Sequence, residues 1–453
     1  MAGIFGTDGV RARINTGAMR AEAIVRLALA AGRLFVDQKQ GHKNKPLVVI
    51  AKDTRLSGYM IESALVAGFS SIGMECKLLG PVPTSHVSIM TRRLSAHLGV
   101  MISASHNPYH DNGIKLFGPD GFKLDDAIEA EISALMQGSI ALGEAEEMGR
   151  VRRILDGADD YTDYAVKSVS DETLLSSMKI VVDCANGAAY RTAPMTLTAL
   201  GADVVPLFTD PDGLNINQGC GAVHPQKMAQ AVMEHGADMG IALDGDADRL
   251  IVADGTGTIH NGDAILGAIA ASMHGKGALK GAVIGTLMTN LGLERYFTSE
   301  GISFARAKVG DRYILEMLKS NGGNLGGEGS GHILMPEICP SGDGLMAALQ
   351  LISAARSADK TIQEALSLYE SVPQKLVNLE NIDKAILQDI RIEAELAKQA
   401  DYLGDEGRVL LRPSGTEPVI RVMVEALDNA KLQTSMNELC QALELVNQDY
   451  QTS

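Results

Sequence analysis

The chain has 453 residues, of which 45% are apolar and 21% charged; this is the balance of a soluble globular protein of about three domains, and it excludes a disordered or fibrous chain. A formal net charge of −16 with no basic run argues against a nucleic-acid partner, so any anionic ligand must be met by locally gathered lysines and arginines. Five cysteines at positions 76, 184, 220, 339 and 440 form no C-x-x-C pair and read as reduced thiols, and no window approaches 18 uninterrupted apolar residues, so a cytoplasmic location without a membrane partner is expected.

In chain order, short apolar runs alternate with amphipathic helical patterns, which argues for α/β layers. Residues 47–51 read as a buried strand, and residues 59–69 carry a helical stripe at Ile61, Leu65 and Phe69. Residues 96–102 form a second apolar run and lead into Ser103-Ala104-Ser105-His106-Asn107-Pro108. That order places Ser105 at the carboxyl edge of a strand, where open α/β sheets hold their ligands. A serine beside a histidine in such a turn suits covalent chemistry, although an ordinary Asn-Pro turn would also use these residues. Residues 179–183 and 281–286 repeat the strand-then-loop design without a fixed period.

Residues 239–254 read strand, acidic loop, strand, with Asp244, Asp246 and Asp248 in the loop. Three carboxylates in five residues repel one another unless a cation lies between them. The spacing opens like a calcium EF-hand, but Arg249 and Gly255 stand where that loop needs glycine and glutamate, so Mg²⁺, with its open positions for water and phosphate, fits better. The plainer alternative is a solvated hairpin turn. Residues 322–331 hold six glycines in ten positions, and the segment presents Glu328, Ser330 and His332 on alternate positions, donors and acceptors suited to sugar hydroxyls. Finally, Arg412, Ser414, Gly415, Thr416 and Arg421 form a fork-shaped cradle for a phosphate, leading into a strand at 419–425. No G-x-x-x-x-G-K-[ST] occurs, so this phosphate is not read as part of a nucleotide. Boundaries are expected near 143–153, 255–257 and 371–373.

Four such segments in this order resemble the α-D-phosphohexomutases, over essentially the whole length from Phe5-Gly6-Thr7-Asp8-Gly9-Val10-Arg11 through Lys52-Asp53-Thr54-Arg55-Leu56-Ser57-Gly58 to the carboxyl-terminal loop. Residues 212–217, residues 308–313 and the Ser-Ala-Ser-His form of the serine loop resemble the glucosamine branch more than its mannose or glucose relatives. Ala247 and Ala12 depart from the family pattern, which usually has glycine there.

The resemblance implies three similar α/β/α domains with mixed sheets (1–155, 156–255 and 256–371) and a smaller C-terminal α+β domain (372–453). It implies that Ser105 carries a phosphoryl group and, with Asp244, Asp246 and Asp248, ligates one Mg²⁺. A sugar phosphate would sit on Arg412, Ser414, Gly415, Thr416 and Arg421, with Glu328 and Ser330 on its ring hydroxyls. The phosphoryl group would pass through a hexose bisphosphate intermediate, which also serves as primer. Lys115 is expected to be the general base with Arg11 beside it, which requires a pKa lowered from about 10.4 by burial or neighbouring positive charge. The implied activity interconverts glucosamine 6-phosphate and glucosamine 1-phosphate and feeds UDP-N-acetylglucosamine and cell-wall precursor synthesis. A mannose or glucose phosphate mutase of the same family, a phosphatase and a non-catalytic sugar-phosphate sensor are the alternatives, and a homodimer is among the open oligomeric states.

Overall fold

The run Leu47–Lys52 is apolar at nearly every position because both of its faces are covered. Val48 and Ile50 pack into a core with Ile24, Leu27, Leu65 and Phe69, whereas Val49 and Ala51 pack with Val87, Met90 and Met101 on the other side. This is the computed structural model of the chain, and it describes residues 4–6, 8–37, 45–171, 173–413 and 419–452. Contacts divide the chain into one unit of Met1–Thr286 with Ala305–Leu368 and another of Leu287–Phe304 with Tyr369–Ser453.

Among the described residues the first unit holds three sheets. In the six-stranded one the order is Val10–Arg13, Asp111–Phe117, Leu98–Ile102, Leu47–Lys52, Glu75–Pro81 and Val151–Arg153. Leu98–Ile102 runs parallel to Leu47–Lys52 and antiparallel to Asp111–Phe117, so the loop after Ile102 leaves the sheet where its direction changes. The charged stretch read as a boundary contains Val151–Arg153, which joins this sheet as a parallel edge strand. The five-stranded sheet runs Ile259–His260, Leu250–Asp254, Met239–Leu243, Lys179–Asp183 and Asp203–Leu207. Its strands Met239–Leu243 and Leu250–Asp254 pair antiparallel and present the acidic loop between them. In the third sheet Val283–Thr286 runs parallel to Gly326–Gly327, which pairs antiparallel with Ile333–Leu334.

The second unit carries an antiparallel three-stranded sheet, Gln374–Glu380, Val419–Ala426 and Gly407–Pro413, in that order. Ile420, Val422 and Val424 alternate inward on the central strand and pack against Leu432, Met436, Leu439 and Leu443 of the helix Asn429–Thr452. Among the described residues no helix is long and apolar enough to cross a membrane.

Candidate active site

Ser105 follows the strand Leu98–Ile102 and has a left-handed φ of +50°, an unfavourable conformation for a serine that the surroundings hold. Its N–H donates to Ser103 Oγ at 2.9 Å, and Ser103 Oγ donates to Asp53 Oδ2 at 2.7 Å. Arg55, with no exposed surface, pairs with Asp53 at 2.8 Å and donates to the carbonyls of Ser105 (3.0 Å), Asn107 (2.8 Å), Asp111 (3.2 Å) and Pro108. Asn217 Nδ2 donates to the Ser105 carbonyl at 2.9 Å. So fixed, the buried Ser105 Oγ donates to Asp244 Oδ2 at 2.5 Å and lies 3.3 Å from His106 Nδ1.

The acidic loop supplies the neighbours. Asp244, Asp246 and Asp248 are buried, and each offers an oxygen within 4.8 Å of the others. Asp244 Oδ1 accepts from the N–H groups of Asp248 (3.1 Å) and Arg249 (3.2 Å). Asp246 Oδ1 is buried without a hydrogen-bond donor among the described residues, and Asp248 Oδ1 faces the His332 ring at 3.5 Å. Burial, with the charges of Asp248 and Asp246, pushes the Asp244 carboxyl up to about 8. Three crowded carboxylates, with Asp246 Oδ1 undonated, suit a hard divalent cation, so the donor set fits the Mg²⁺ expected from the sequence. Ala247, one of the two family departures, has φ +61°, which explains why glycine is usual there.

Lys115, on Asp111–Phe117, lies 2.8 Å from Asp246 Oδ2, 3.0 Å from Asp248 Oδ2 and 3.4 Å from Asp8 Oδ2. The expected lowering of its pKa is therefore not found: burial pulls it down, but the three carboxylates hold the ammonium well above its ordinary value. With those carboxylates free of metal, Lys115 is therefore held as a cation. Arg11 meets it only through Asp8, which it pairs at 3.0 Å, while also donating to Asn107 Oδ1 at 3.4 Å.

The glycine-rich loop docks on the acidic one. Gly331 has φ +92°, and a Cβ there would lie 2.1 Å from the Leu250 carbonyl oxygen, so only glycine lets the two backbones meet. Glu328 accepts from the Gly310 N–H at 2.8 Å and from Ser330 Oγ at 2.9 Å, so these two side chains stand together. His332 does not join them. The turn at Gly331 breaks strand alternation, and His332 is buried with Nδ1 3.5 Å from Asp248 and Nε2 3.5 Å from Asp311. Burial alone would lower its pKa, but those carboxylates raise it to about 9. His332 is thus a charged brace and not the hydroxyl contact expected of it. His106, by contrast, is lowered to about 4 by burial and by Arg249 and Arg11.

In the second unit Arg412 and Arg421 stand directly opposite each other in the antiparallel register. Ser414, Gly415 and Thr416 lie outside the described residues. Sequence reasoning passed over Lys123, whose Nζ meets Asp8 and lies 2.6 Å from Asp311, and it assigned no role to Arg55, Asn217 or Asp311. Lys123 has no distinguishing local sequence, whereas Arg55, Asn217 and Asp311 lie in the runs 52–58, 212–217 and 308–313 that carry the family resemblance.

Comparison with known proteins gives four family models matched in succession: phosphoglucomutase/phosphomannomutase alpha/beta/alpha domain I over residues 2–141, domain II over 159–257, domain III over 261–372 and the C-terminal domain over 374–442. Phosphoglucosamine mutase of Paracoccus denitrificans is 49% identical over 443 residues, covering 97% of this chain and 98% of that one. Phosphoglucosamine mutase of Erythrobacter litoralis is 49% identical over 440 residues, covering 97% of this chain and 96% of that one. A solved structure of a phosphoglucomutase/phosphomannomutase family protein from Burkholderia thailandensis superposes with a TM-score of 0.82 at 25% identity, covering 98% of this chain and 97% of that one.

Proposed function

The chain belongs to the phosphoglucomutase/phosphomannomutase family, and from that premise we propose that it catalyses the phosphoglucosamine mutase reaction, interconverting glucosamine 6-phosphate and glucosamine 1-phosphate. The observation that carries the reading is the placement of a buried, backbone-clamped serine hydroxyl 2.5 Å from the first of three clustered aspartates.

In this reading Ser105 Oγ carries the phosphoryl group. A sugar hydroxyl attacks phosphorus, the new sugar O–P bond forms as the Ser105 O–P bond breaks, and the bisphosphorylated sugar turns so that its other phosphate returns to Ser105 Oγ. Asp244, Asp246, Asp248 and a Ser105 phosphoryl oxygen would hold Mg²⁺, which supplies neutralisation of charge on the group in transfer. Arg412, Ser414, Gly415, Thr416 and Arg421 hold the resting phosphate, and Glu328 and Ser330 take the ring hydroxyls. The proton of the attacking hydroxyl passes to Lys115, with Arg11 beside it, a role open to this lysine when Asp246 and Asp248 are engaged by Mg²⁺ and no longer hold it as an ammonium. The same reading divides the chain near residues 155, 255 and 371.

The test is phosphorus NMR of the protein with Mg²⁺, glucosamine 6-phosphate and a trace of hexose bisphosphate, run beside the glucose and mannose 6-phosphates. Fastest conversion of the glucosamine signal to the 1-phosphate, without free phosphate, is expected, and Ser105→Ala should abolish it. Faster turnover of a hexose would move the assignment to another branch of the family, and free phosphate alone would make the protein a phosphatase.

A further inference from the structure

The helix Thr84–Arg93 is rich in hydroxyls, yet residues Thr84 to Thr91 are all buried. A buried hydroxyl costs stability unless it is hydrogen-bonded, so its partner indicates what it does. Ser88 Oγ meets Ser341 Oγ at 3.1 Å, Thr91 Oγ1 donates to the Val87 carbonyl at 2.7 Å, and Ser85 Oγ donates to Asp343. Thr84 at the head of the helix is different, because both of its donors go to one residue of the acidic loop. Its Oγ1 donates to Asp246 Oδ2 at 2.8 Å and its N–H to the Asp246 carbonyl oxygen at 3.1 Å.

The next residue of that loop is tied by a second element, since Gly344 N–H donates to the Ala247 carbonyl at 2.9 Å. Asp343, adjacent to Gly344, accepts from Ser85 Oγ and, at 2.8 Å, from Tyr161 Oη. The two ties on the loop are therefore joined to each other through the Ser85–Asp343 hydrogen bond. Asp246 is gripped on its main chain and on one carboxylate oxygen, while Oδ1 is left without a donor among the described residues.

We propose that Thr84 is a positioning residue for Asp246, fixing which carboxylate oxygen faces the cation; this rests on the Mg²⁺ reading given above. A carboxylate turns readily about its terminal torsion, and a donor held to one oxygen removes that freedom. Lys115 also meets Oδ2 at 2.8 Å, but its charge opposes a metal ion nearby, whereas a neutral hydroxyl orients the carboxylate without that repulsion.

The experiment is calorimetric titration of the full-length, dephosphorylated chain with MgCl2, for wild type, Thr84→Val and Thr84→Ser, alongside melting curves of each in EDTA. Valine keeps the branched shape and removes the hydroxyl, while serine keeps the donor. The Kd for Mg²⁺ should rise about tenfold in Thr84→Val, at the lower end of the range for lost outer-sphere partners because Lys115 still holds Oδ2. Thr84→Ser should restore it. A Thr84→Val chain that melts earlier in EDTA yet binds Mg²⁺ like wild type would overturn the inference, since that is what packing alone would produce. Should the valine chain not accumulate, Thr84→Ala read against Thr84→Ser decides by the same comparison. A wild-type chain that takes up no Mg²⁺ would instead overturn the metal assignment, and the inference with it.

Discussion

Replacing Arg55 by Met should destabilise the protein in a pH-dependent way. Neither Arg55 nor Asp53 has exposed side-chain surface, and burial pushes the Asp53 carboxyl up against the opposing pull of Arg55. Three of the four carbonyls that Arg55 serves keep another donor: Asn217 Nδ2 still reaches Ser105 O (2.9 Å) and Asn107 O (3.2 Å), and Asp111 N–H still reaches Pro108 O (3.1 Å). The larger loss is therefore electrostatic, an unpaired buried carboxylate worth about 3–5 kcal/mol. Without Arg55 the folded-state pKa of Asp53 rises further above its unfolded value, so the fold binds the proton more tightly than the unfolded chain. The deficit is then full at pH 8 and shrinks by about 1.4 kcal/mol per pH unit once the pH falls below the raised pKa. Melting curves of wild type and Arg55→Met at pH 8 and pH 5 measure it. An equal depression at both pH values would show that lost volume, and not the charge on Asp53, is responsible, and no depression at all would refute the clamp.

Three further outcomes are expected. In EDTA, stability should fall as pH rises from about 6.5 to 9, because Asp244 at about 8 and His332 at about 9 both hold protons in the fold that the unfolded chain releases earlier, while below that window the lowered His106 works the other way; Mg²⁺, which needs ionised carboxylates, should flatten the profile, and parallel profiles with and without the ion would count against the site. Ala247→Gly should unfold within about 1 kcal/mol of wild type, since relief of the φ +61° strain offsets the added freedom of glycine, whereas Ala247→Val should lose more; denaturation midpoints in the opposite order would refute this. Arg421→Ala, by removing a charge-assisted contact worth about 1.5–3 kcal/mol, should raise the KM for the sugar phosphate with a smaller effect on kcat, and an unchanged KM would take Arg421 out of the cradle.

The parts of the site legible in the sequence are those whose chemistry is packed into a few consecutive residues. Asp244, Asp246 and Asp248 announce a cation by their crowding, and Ser105 by its place after an apolar run. Lys123 could not be found this way because its partners Asp8 and Asp311 lie 115 and 188 positions away. The charge of Lys115 was out of reach of the sequence for the same reason: it depends on three carboxylates that only the fold brings to it. His332 was misplaced because period-two reasoning assumes an unbroken strand, and one left-handed glycine turns the side chain around. Strand positions were legible wherever two-sided burial leaves a continuous apolar run, as at Leu47–Lys52 and Met239–Leu243.

The helix Thr84–Arg93 also bears on how the molecule is made. The partner of Thr84 lies 162 residues later in the chain and that of Ser85 lies 258 later. At ribosomal rates of about 5–20 residues per second, the helix exists for on the order of ten to fifty seconds before Asp343 is synthesised. Until its own partner is made, each of these hydroxyls is left to water, and Thr84 waits a shorter time than Ser85. An apolar helix in its place would meanwhile offer a sticky face to other nascent chains, so its hydroxyl-rich composition suits the wait as well as the final junction.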